Sequence, residues 1–408
     1  MGERITCPFC GLSCDDLLVS EAGVDTRGCA LAAAGFARAS PSRKPHTVAG
    51  KAASLQTAVT AAAALLRGAT RPLFHGLAAD LSAIRAVLAL AERVGGTCDH
   101  MYSNALLANA SVARASGWVT ATFGEVANRA DFILLVGSDP QRNFPRFYER
   151  LARNPAPLYR EGPPTLGYIG PRSLAPPESL VPLRAIVENA ALLDSAAALS
   201  LLLHHRRPAG VRLPIEALAE ISGRLASARY GVLAWDLSAY APGTAELVVE
   251  YLADMLRHLN SRTRCVGLPL GGSGNALGAM QASLWQTGWP LRVSFADNGP
   301  SHDPWRFDGN RIIDAGEADA VFWVSASAAE SPPASPAPLI ALVSDDVQFS
   351  MPAAVEIRGG IPGIDHGGEV VRADTVIALP LQAARPSDRP SVAEVARAIL
   401  EALEEAPC

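Results

Sequence analysis

The chain has 408 residues, is 49% hydrophobic and 18% charged, and carries a formal net charge of −5. That length and composition allow more than one domain with a large core and exclude a disordered chain. The basic residues are nearly all arginine, with only Lys44 and Lys51 as lysines, and no stretch concentrates them, which argues against a nucleic-acid partner. The most apolar stretch, residues 190–203, is too short for a membrane span and contains Asp194. The opening MGERITCPFC lacks the apolar core of a signal peptide, so the cytoplasm is the expected compartment.

In chain order, the first fifty residues stand apart. They hold four of the seven cysteines and end in the connector SPSRKPHTVAG. From Lys51 onward, Ala/Leu/Arg-rich helical stretches alternate with short β-branched runs. Strands are predicted at 72–76, 132–139, 165–170, 230–236, 264–270, 320–327, 338–346, 353–357 and 375–380. Helices are predicted at 53–67, 80–95, 190–203, 214–227, 244–259, 276–286 and 391–405. Strands alternating with helices imply an α/β protein with Rossmann-like parallel sheets and helices on both faces. The expected division is a Cys-rich module at 1–50, a discontinuous α/β domain at 51–150 plus about 305–385, a second α/β domain at 151–304, and a C-terminal helix or tail at 386–408.

Three strands run straight into turns: Gly137-Ser138-Asp-Pro, Gly170-Pro-Arg172 and Gly271-Gly272-Ser273-Gly274-Asn275. Ligands of open α/β sheets gather at such carboxyl ends, so these turns are the candidate binding places. The last is a weak phosphate-loop candidate, because it is not G-x-G-x-x-G. The glycine-rich stretch 359–368 has no following helix and reads as a loop. There is no H-E-x-x-H, G-x-S-x-G or P-loop. Of the histidines, His204 and His205 end a helix, and Asp99-His100 and Asp365-His366 are adjacent pairs of the kind any loop contains. Asp15-Asp16 reads as a solvated turn rather than a hard-metal site. Cys265 opens an apolar strand and reads as a buried thiol.

The strongest local signal is Cys7, Cys10, Cys14 and Cys29, spaced C-x2-C-x3-C-x14-C. Three soft thiolates within eight residues can wrap one centre, and a fourth from a following turn closes the shell. Structural zinc usually takes two CxxC pairs, and only one is present. The spacing leans toward a [4Fe-4S] cluster, with Zn²⁺ or four free thiols as the alternatives.

The opening CPFCGLSCDD resembles the start of the B-type chains of formylmethanofuran dehydrogenase, in the molybdopterin oxidoreductase family. Further matches follow in order: Thr122-Phe-Gly-Glu-Val126, Asn128-Arg-Ala-Asp131, Gly137-Ser-Asp-Pro140, Gly170-Pro-Arg172, a Trp-x-x-Gly-Trp-Pro stretch at 285–290, and Glu317-Ala-Asp-Ala320. They extend over most of the chain. The resemblance implies a molybdopterin-oxidoreductase-like fold without the C-terminal β-barrel domain, which a separate polypeptide supplies in that family.

The departures carry as much as the matches. The family's metal-binding Cys or selenocysteine, followed by His, maps to Ala105 and Leu106, and no Cys or His lies between residues 104 and 122. The family's Arg and His in an Arg-Gly-His-Tyr-Asn turn map to Gly271 and Ser273. No catalytic residue is expected, and no molybdopterin, molybdenum or tungsten. The remnant cofactor cleft would lie near Gly137, Ser138, Gly170, Arg172, Gly272 and Asn275. Such losses are similar to those of the B-type chains of the bacterial formyltransferase/hydrolase complexes. Those complexes are built from homologues of the A, B, C and D dehydrogenase chains, and convert formyl-tetrahydromethanopterin to formate through a furan carrier. The expected role is a non-catalytic, structural component partnered by an amidohydrolase-like A-type chain, a C-type chain and formyltransferase or barrel-like chains. A redox-active Mo/W dehydrogenase chain, or an unrelated iron–sulfur or zinc protein with a Rossmann-like body, are the alternatives.

Overall fold

Continuous apolar runs form the central strands, as burial on both faces requires. In the computed structural model, which describes residues 2–38, 43–209, 212–297 and 299–405, the strands Pro72–Ala78, Phe132–Val136 and Ala320–Ser325 are buried at every position. The chain divides into two compact units. Unit 1 comprises residues 1–103, 272–372 and 377–408, and unit 2 residues 104–271 and 373–376.

Unit 1 is built on a nine-stranded sheet. Its parallel centre runs Thr97–Cys98, Pro72–Ala78, Ala320–Ser325, Leu339–Val343, Val355–Arg358. Counted along the chain these strands lie in the order 2-1-3-4-5, so the order reverses between Pro72–Ala78 and Ala320–Ser325. Antiparallel strands extend both edges: His46–Val48 and Lys51–Ala53 on one side, Val293–Ser294 and Ser301–His302 on the other. Helices Leu55–Gly68, Leu81–Arg93, Ala276–Thr287 and Val392–Glu405 share a core with Phe74, Phe322, Ile340 and Ile357. The alternate strand residues Trp323, Ala341 and Val343 belong to a separate cluster on the opposite face. Ser54 and Asp80 cap two of these helices by accepting from the amides of Thr57 and Ala83, each at 3.1 Å. The N-terminal module adds a three-stranded antiparallel sheet, Glu3–Ile5, Leu17–Ser20 and Gly23–Asp25, and the helix Ala30–Ala37.

Unit 2 holds a five-stranded sheet, parallel throughout, in the order Leu183–Ile186, Thr165–Gly170, Phe132–Val136, Tyr230–Trp235, Arg264–Pro269. Along the chain that is 3-2-1-4-5, with the reversal between Phe132–Val136 and Tyr230–Trp235. Helices Leu192–Leu203, Ile215–Ser227 and Pro242–Leu259 pack on it through Leu199, Leu225, Val248 and Leu252.

The domain limits therefore differ from those expected. A cut after residue 150 would part Phe132–Val136 from both strands it pairs with. A cut before 305 would remove Ala276–Thr287 and Val293–Ser294 from the unit 1 sheet and core. The Cys-rich module belongs to unit 1, as does the C-terminal helix. That helix is core rather than tail, with Val395, Ala396 and Ile399 at most 1% exposed. The strand expected at 375–380 is Ala378–Leu381, paired with Gly368–Val371 in a separate hairpin.

The segments that carry the resemblance have structural work to do. Thr122 and Glu125 form a capping box on the helix Phe123–Arg129, with both reciprocal bonds at 3.0 Å. Asp131 accepts from the amides of Arg229 and Tyr230 at 2.8 and 3.0 Å, clamping the start of the adjacent strand. Asp319 does the same in unit 1, accepting from the amides of Thr70 and Arg71 at 2.8 and 2.9 Å and from the Thr70 hydroxyl at 2.7 Å. Burial works to raise the Asp319 pKa, and these hydrogen bonds outweigh it and hold the group below its usual range. Asp319→Ala should destabilise unit 1 by about 1–3 kcal/mol at neutral pH. Because the folded pKa is lowered, this contribution is present above the ordinary carboxylate value and lost as pH falls through the folded one. Wild type and variant should converge on acidification, which denaturant titration at several pH values would read.

Candidate functional site

The four N-terminal cysteines sit where a tight loop returns on itself. The Cys7 amide donates to the Cys14 carbonyl at 2.8 Å and the Ser13 amide to the Cys10 carbonyl at 3.0 Å. Ser13 takes a positive φ of 44°, which lets the chain turn between Cys10 and Cys14. Cys29 follows a turn and precedes the helix Ala30–Ala37. Cys7, Cys14 and Cys29 are buried and Cys10 is half-buried. Burial pushes the Cys10 thiol up to about 12 and Cys7 higher still, and charge on the neighbouring thiols adds to both shifts. The thiols thus lie within electrostatic reach of one another. Among the described residues no group of three or more His, Cys, Asp or Glu side chains closes tightly enough to hold a single ion.

In unit 2 the point where strand order reverses is occupied by the protein itself. Gly137, at the end of Phe132–Val136, has φ 91°, and a Cβ there would lie 2.5 Å from the Asp236 carbonyl. The Tyr240 and Tyr168 hydroxyls reach the Gly137 carbonyl at 3.4 and 3.3 Å, and Tyr168 also donates to the Pro171 carbonyl at 2.9 Å. Asn143 donates to the Asp236 carboxylate at 2.7 Å and Tyr148 to Asp139 at 2.8 Å. Ser138 is buried beside this group, and a Cβ at Gly170 would collide with the Tyr168 hydroxyl. Of the expected cleft residues in unit 2, only Arg172 is exposed.

The position expected of a metal thiolate, Ala105, lies in the first turn of the helix Ser103–Ala115. Its neighbour Leu106 is 4% exposed and 3.5 Å from where a Gly271 Cβ would stand. The structure therefore brings together the two family positions, and fills the space with a leucine. These residues do not fit a metal–pterin centre: the expected soft ligand is replaced by Ala105, and an apolar side chain stands beside it.

The glycine turn that follows belongs to no single βα unit. Its strand, Arg264–Pro269, lies in unit 2 and its helix, Ala276–Thr287, in unit 1. Gly272, Gly274 and Asn275 all have positive φ, and Ser273 and Asn275 lie in one short 3-10 turn. The buried Asn275 side chain donates to the Ala79 carbonyl and accepts from the Val371 amide, both at 3.0 Å. It thus closes over the end of Pro72–Ala78, on one side of the unit 1 reversal point. His100 accepts from the Tyr102 amide through Nδ1 at 3.0 Å, so Nε2 donates to the Gly274 carbonyl at 3.2 Å. Burial drives its pKa down to about 3, so this imidazole stays neutral.

On the other side of the same reversal point lies Arg38, which no sequence pattern singles out. Its guanidinium donates to the Ser327 carbonyl at 2.6 Å, the Ala326 carbonyl at 3.4 Å, the Ser344 hydroxyl at 3.0 Å and the Asp346 carboxylate at 2.6 Å. Arg358 donates to the Ser344 and Val347 carbonyls, and Arg389 to Asp345 at 2.7 Å. Three guanidiniums thus converge on the turn after Leu339–Val343. The available signal was the acidic pair Asp345-Asp346 directly after a buried strand.

The other residues noted in the sequence are structural. Asp15 is exposed and Asp16 half-buried. His204 caps its helix and meets Asp254 at 3.2 Å. Cys265 is fully buried. Asp99 anchors a buried polar knot: it accepts from the amides of His100 and Gly309, and faces Arg292, which also pairs with Asp308.

No family model matches the chain. The B component of the formyltransferase/hydrolase complex Fhc of Methylorubrum extorquens is 32% identical over 363 residues, which is 88% of this chain and 96% of that protein. The chain belongs to this family of B-type chains. In the crystal structure of the FhcABCD complex from Methylorubrum extorquens with methylofuran, a chain of 32% identity matches with a TM-score of 0.75 over 88% of this chain and 99% of its own length. The B component of the tungsten-containing formylmethanofuran dehydrogenase 2 of Methanocaldococcus jannaschii is 26% identical over 98% of this B-type chain and 97% of its own length. Acetylene hydratase from Pelobacter acetylenicus shares the fold, with a TM-score of 0.63 at 12% identity, over 98% of this chain and 69% of its own. Among the described residues no helix is long and apolar enough to cross a membrane.

Proposed function

We propose that this chain is a non-catalytic, B-type component of a formyltransferase/hydrolase complex that converts formyl-tetrahydromethanopterin to formate through a furan carrier. One observation carries the reading. Within a chain 32% identical to an Fhc B-type chain, the position where the dehydrogenase resemblance calls for a metal thiolate holds Ala105, with Leu106 packed toward Gly271. A redox-active Mo/W chain would need that ligand. Its partners in this reading are an amidohydrolase-like A-type chain, a C-type chain and formyltransferase or barrel-like chains. Three of the six tryptophans, Trp285, Trp289 and Trp305, are 61%, 38% and 72% exposed. Large exposed aromatics of this kind favour a buried place in an assembly. Co-expression with the other three components tests the proposal. One complex should purify, with formyl-hydrolysing activity, with no viologen-linked oxidation of formyl compounds, and without molybdenum or tungsten. A chain that purifies apart from the others, as a stable monomer, contradicts it.

The four cysteines fit a metal centre. Buried thiols gain most from a cation that stabilises their charged form. Structural zinc usually takes two CxxC pairs and only one is present, so a [4Fe-4S] cluster held by Cys7, Cys10, Cys14 and Cys29 is favoured over zinc, and in a chain without a redox site its role is to fold the module. Cys10→Ser should raise the protease sensitivity of residues 2–38 and lower the yield of complex. Unchanged protease resistance and unchanged yield would mean that the thiols are free.

A further inference from the structure

The N-terminal module makes close contacts with the body of unit 1 at the carboxyl ends of the sheet. A Cβ at Gly363 would stand 3.0 Å from the Pro8 ring, and one at Gly35 only 2.5 Å from the Phe9 ring. Pro8 and Phe9 are the two residues between Cys7 and Cys10, so the loop that carries the first two thiols is wedged between the helix Ala30–Ala37 and the 359–368 loop. The Phe9 and Phe36 rings meet edge to face at 5.0 Å. The Thr6 amide donates to Gln382 at 3.3 Å.

The same helix that begins after Cys29 ends at Arg38, whose side chain is 14% exposed. Arg38 reaches the carbonyls of Ala326 and Ser327. The amides of those two residues in turn donate to the Ala78 carbonyl at 2.8 and 3.0 Å. Arg38 therefore stands at the ends of Pro72–Ala78 and Ala320–Ser325, the two strands between which the order of the sheet reverses. This is the crevice in which open α/β sheets take their ligands. Asp346, the partner of Arg38, is bonded in addition by Ser344 at 2.6 Å. The crevice is thus occupied by a side chain that the cysteine module delivers, and the delivery runs through one short helix whose first turn follows Cys29.

We infer that the module is a metal-dependent plug: folded on its metal it holds Arg38 in the reversal point of unit 1, and without metal Arg38 withdraws and the crevice opens. The inference rests on the reading that the four thiols hold a metal. Loss of the metal releases Cys29, and the helix Ala30–Ala37 loses its anchor. The five hydrogen bonds of Arg38 to the turns at 326–327 and 344–346 go with it.

Hydrogen exchange followed by mass spectrometry on the purified complex tests this, with iron, sulfide and zinc measured on the same sample. Four forms are compared: the protein as isolated, the protein stripped with ferricyanide and EDTA, Cys14→Ser, and Arg38→Met. In the stripped and Cys14→Ser forms, exchange should rise at least tenfold in residues 326–330 and 344–347 together with residues 2–38, while Phe132–Val136 in unit 2 is unchanged. Arg38→Met should keep its full metal content and lose protection in 326–330 and 344–347 alone. A stripped protein whose 326–330 and 344–347 turns stay fully protected overturns the plug and leaves the metal reading intact. So does an Arg38→Met protein with unaltered exchange. Absence of metal from the protein as isolated overturns both.

Discussion

Arg292→Ala should lower the stability of unit 1 by about 3–5 kcal/mol, the usual result of leaving a buried charge without its partner. Asp99 is 1% exposed and Arg292 lies 3.4 Å from its carboxylate, with a second bond to Asp308 at 2.5 Å and a third to Ser103 at 3.3 Å. Burial pushes the Asp99 pKa up, and Arg292 is the largest influence holding it down, ahead of His75 and the Gly309 amide. Removing the guanidinium takes away the largest of these opposing influences and lets burial raise the pKa further. A carboxyl with a raised folded pKa binds its proton more tightly in the native state, so stability falls as pH rises from the ordinary carboxylate value through the folded one. The variant should therefore lose more stability between mildly acidic and neutral pH than the wild type does. Asp99→Asn in the same chain should recover part of the loss, since the amide carries no charge and keeps one oxygen for one of the His100 and Gly309 amides, which bond different oxygens of Asp99. Denaturant melts of the single and double variants at two pH values provide the check. Equal losses in both, at both pH values, would mean that Arg292 acts through packing alone.

Gly137→Ala should destabilise unit 2 by about 3 kcal/mol or more, from two sources that add. An L-residue at φ 91° is strained, and its Cβ would stand 2.5 Å from the Asp236 carbonyl and 3.0 Å from Leu237. Gly162→Ala is the matched control. Gly162 also has positive φ, 68°, but nothing lies within 4 Å of its would-be Cβ, so the cost should stay near ~1 kcal/mol. The difference between the two variants measures how tightly the unit 2 reversal point is closed. If both cost the same, the space beside Gly137 is open in solution, and the protein does not maintain a filled crevice there.

The parallel strands and most helices were legible because each is a local pattern. PLFHG, FILLVGSD and AVFWVSAS are each dominated by a short apolar run, and all three became central strands buried on both faces. The capping box at Thr122 and Glu125 could also be read locally, although its three-residue signature says only that a helix begins. The unit boundaries could not be read, because the chain crosses between units within the helix Ser103–Ala115 and within a glycine turn, neither of which looks like a linker. The plug was out of reach for a different reason. Arg38 meets Asp346 across 308 residues of sequence, and an arginine that ends a short helix carries no sign of where its side chain will go. The closure of the unit 2 crevice depended likewise on Tyr148, Tyr168 and Tyr240, which three separate elements deliver. Absence was the more informative signal: no Cys or His occupies 104–122, and the structure shows Leu106 packed there toward Gly271.

The central claim is that this B-type chain works as a part of an assembly and performs no redox chemistry of its own. The most direct measurement is metal and pterin content, with dye-linked turnover, on the chain co-expressed with the A-, C- and D-type chains of the proposed complex. The account predicts formyl hydrolysis by the complex, no viologen reduction with formyl substrates, and no pterin, molybdenum or tungsten in the preparation. Molybdenum or tungsten in stoichiometric amount with this chain, together with dye-linked turnover, would contradict it.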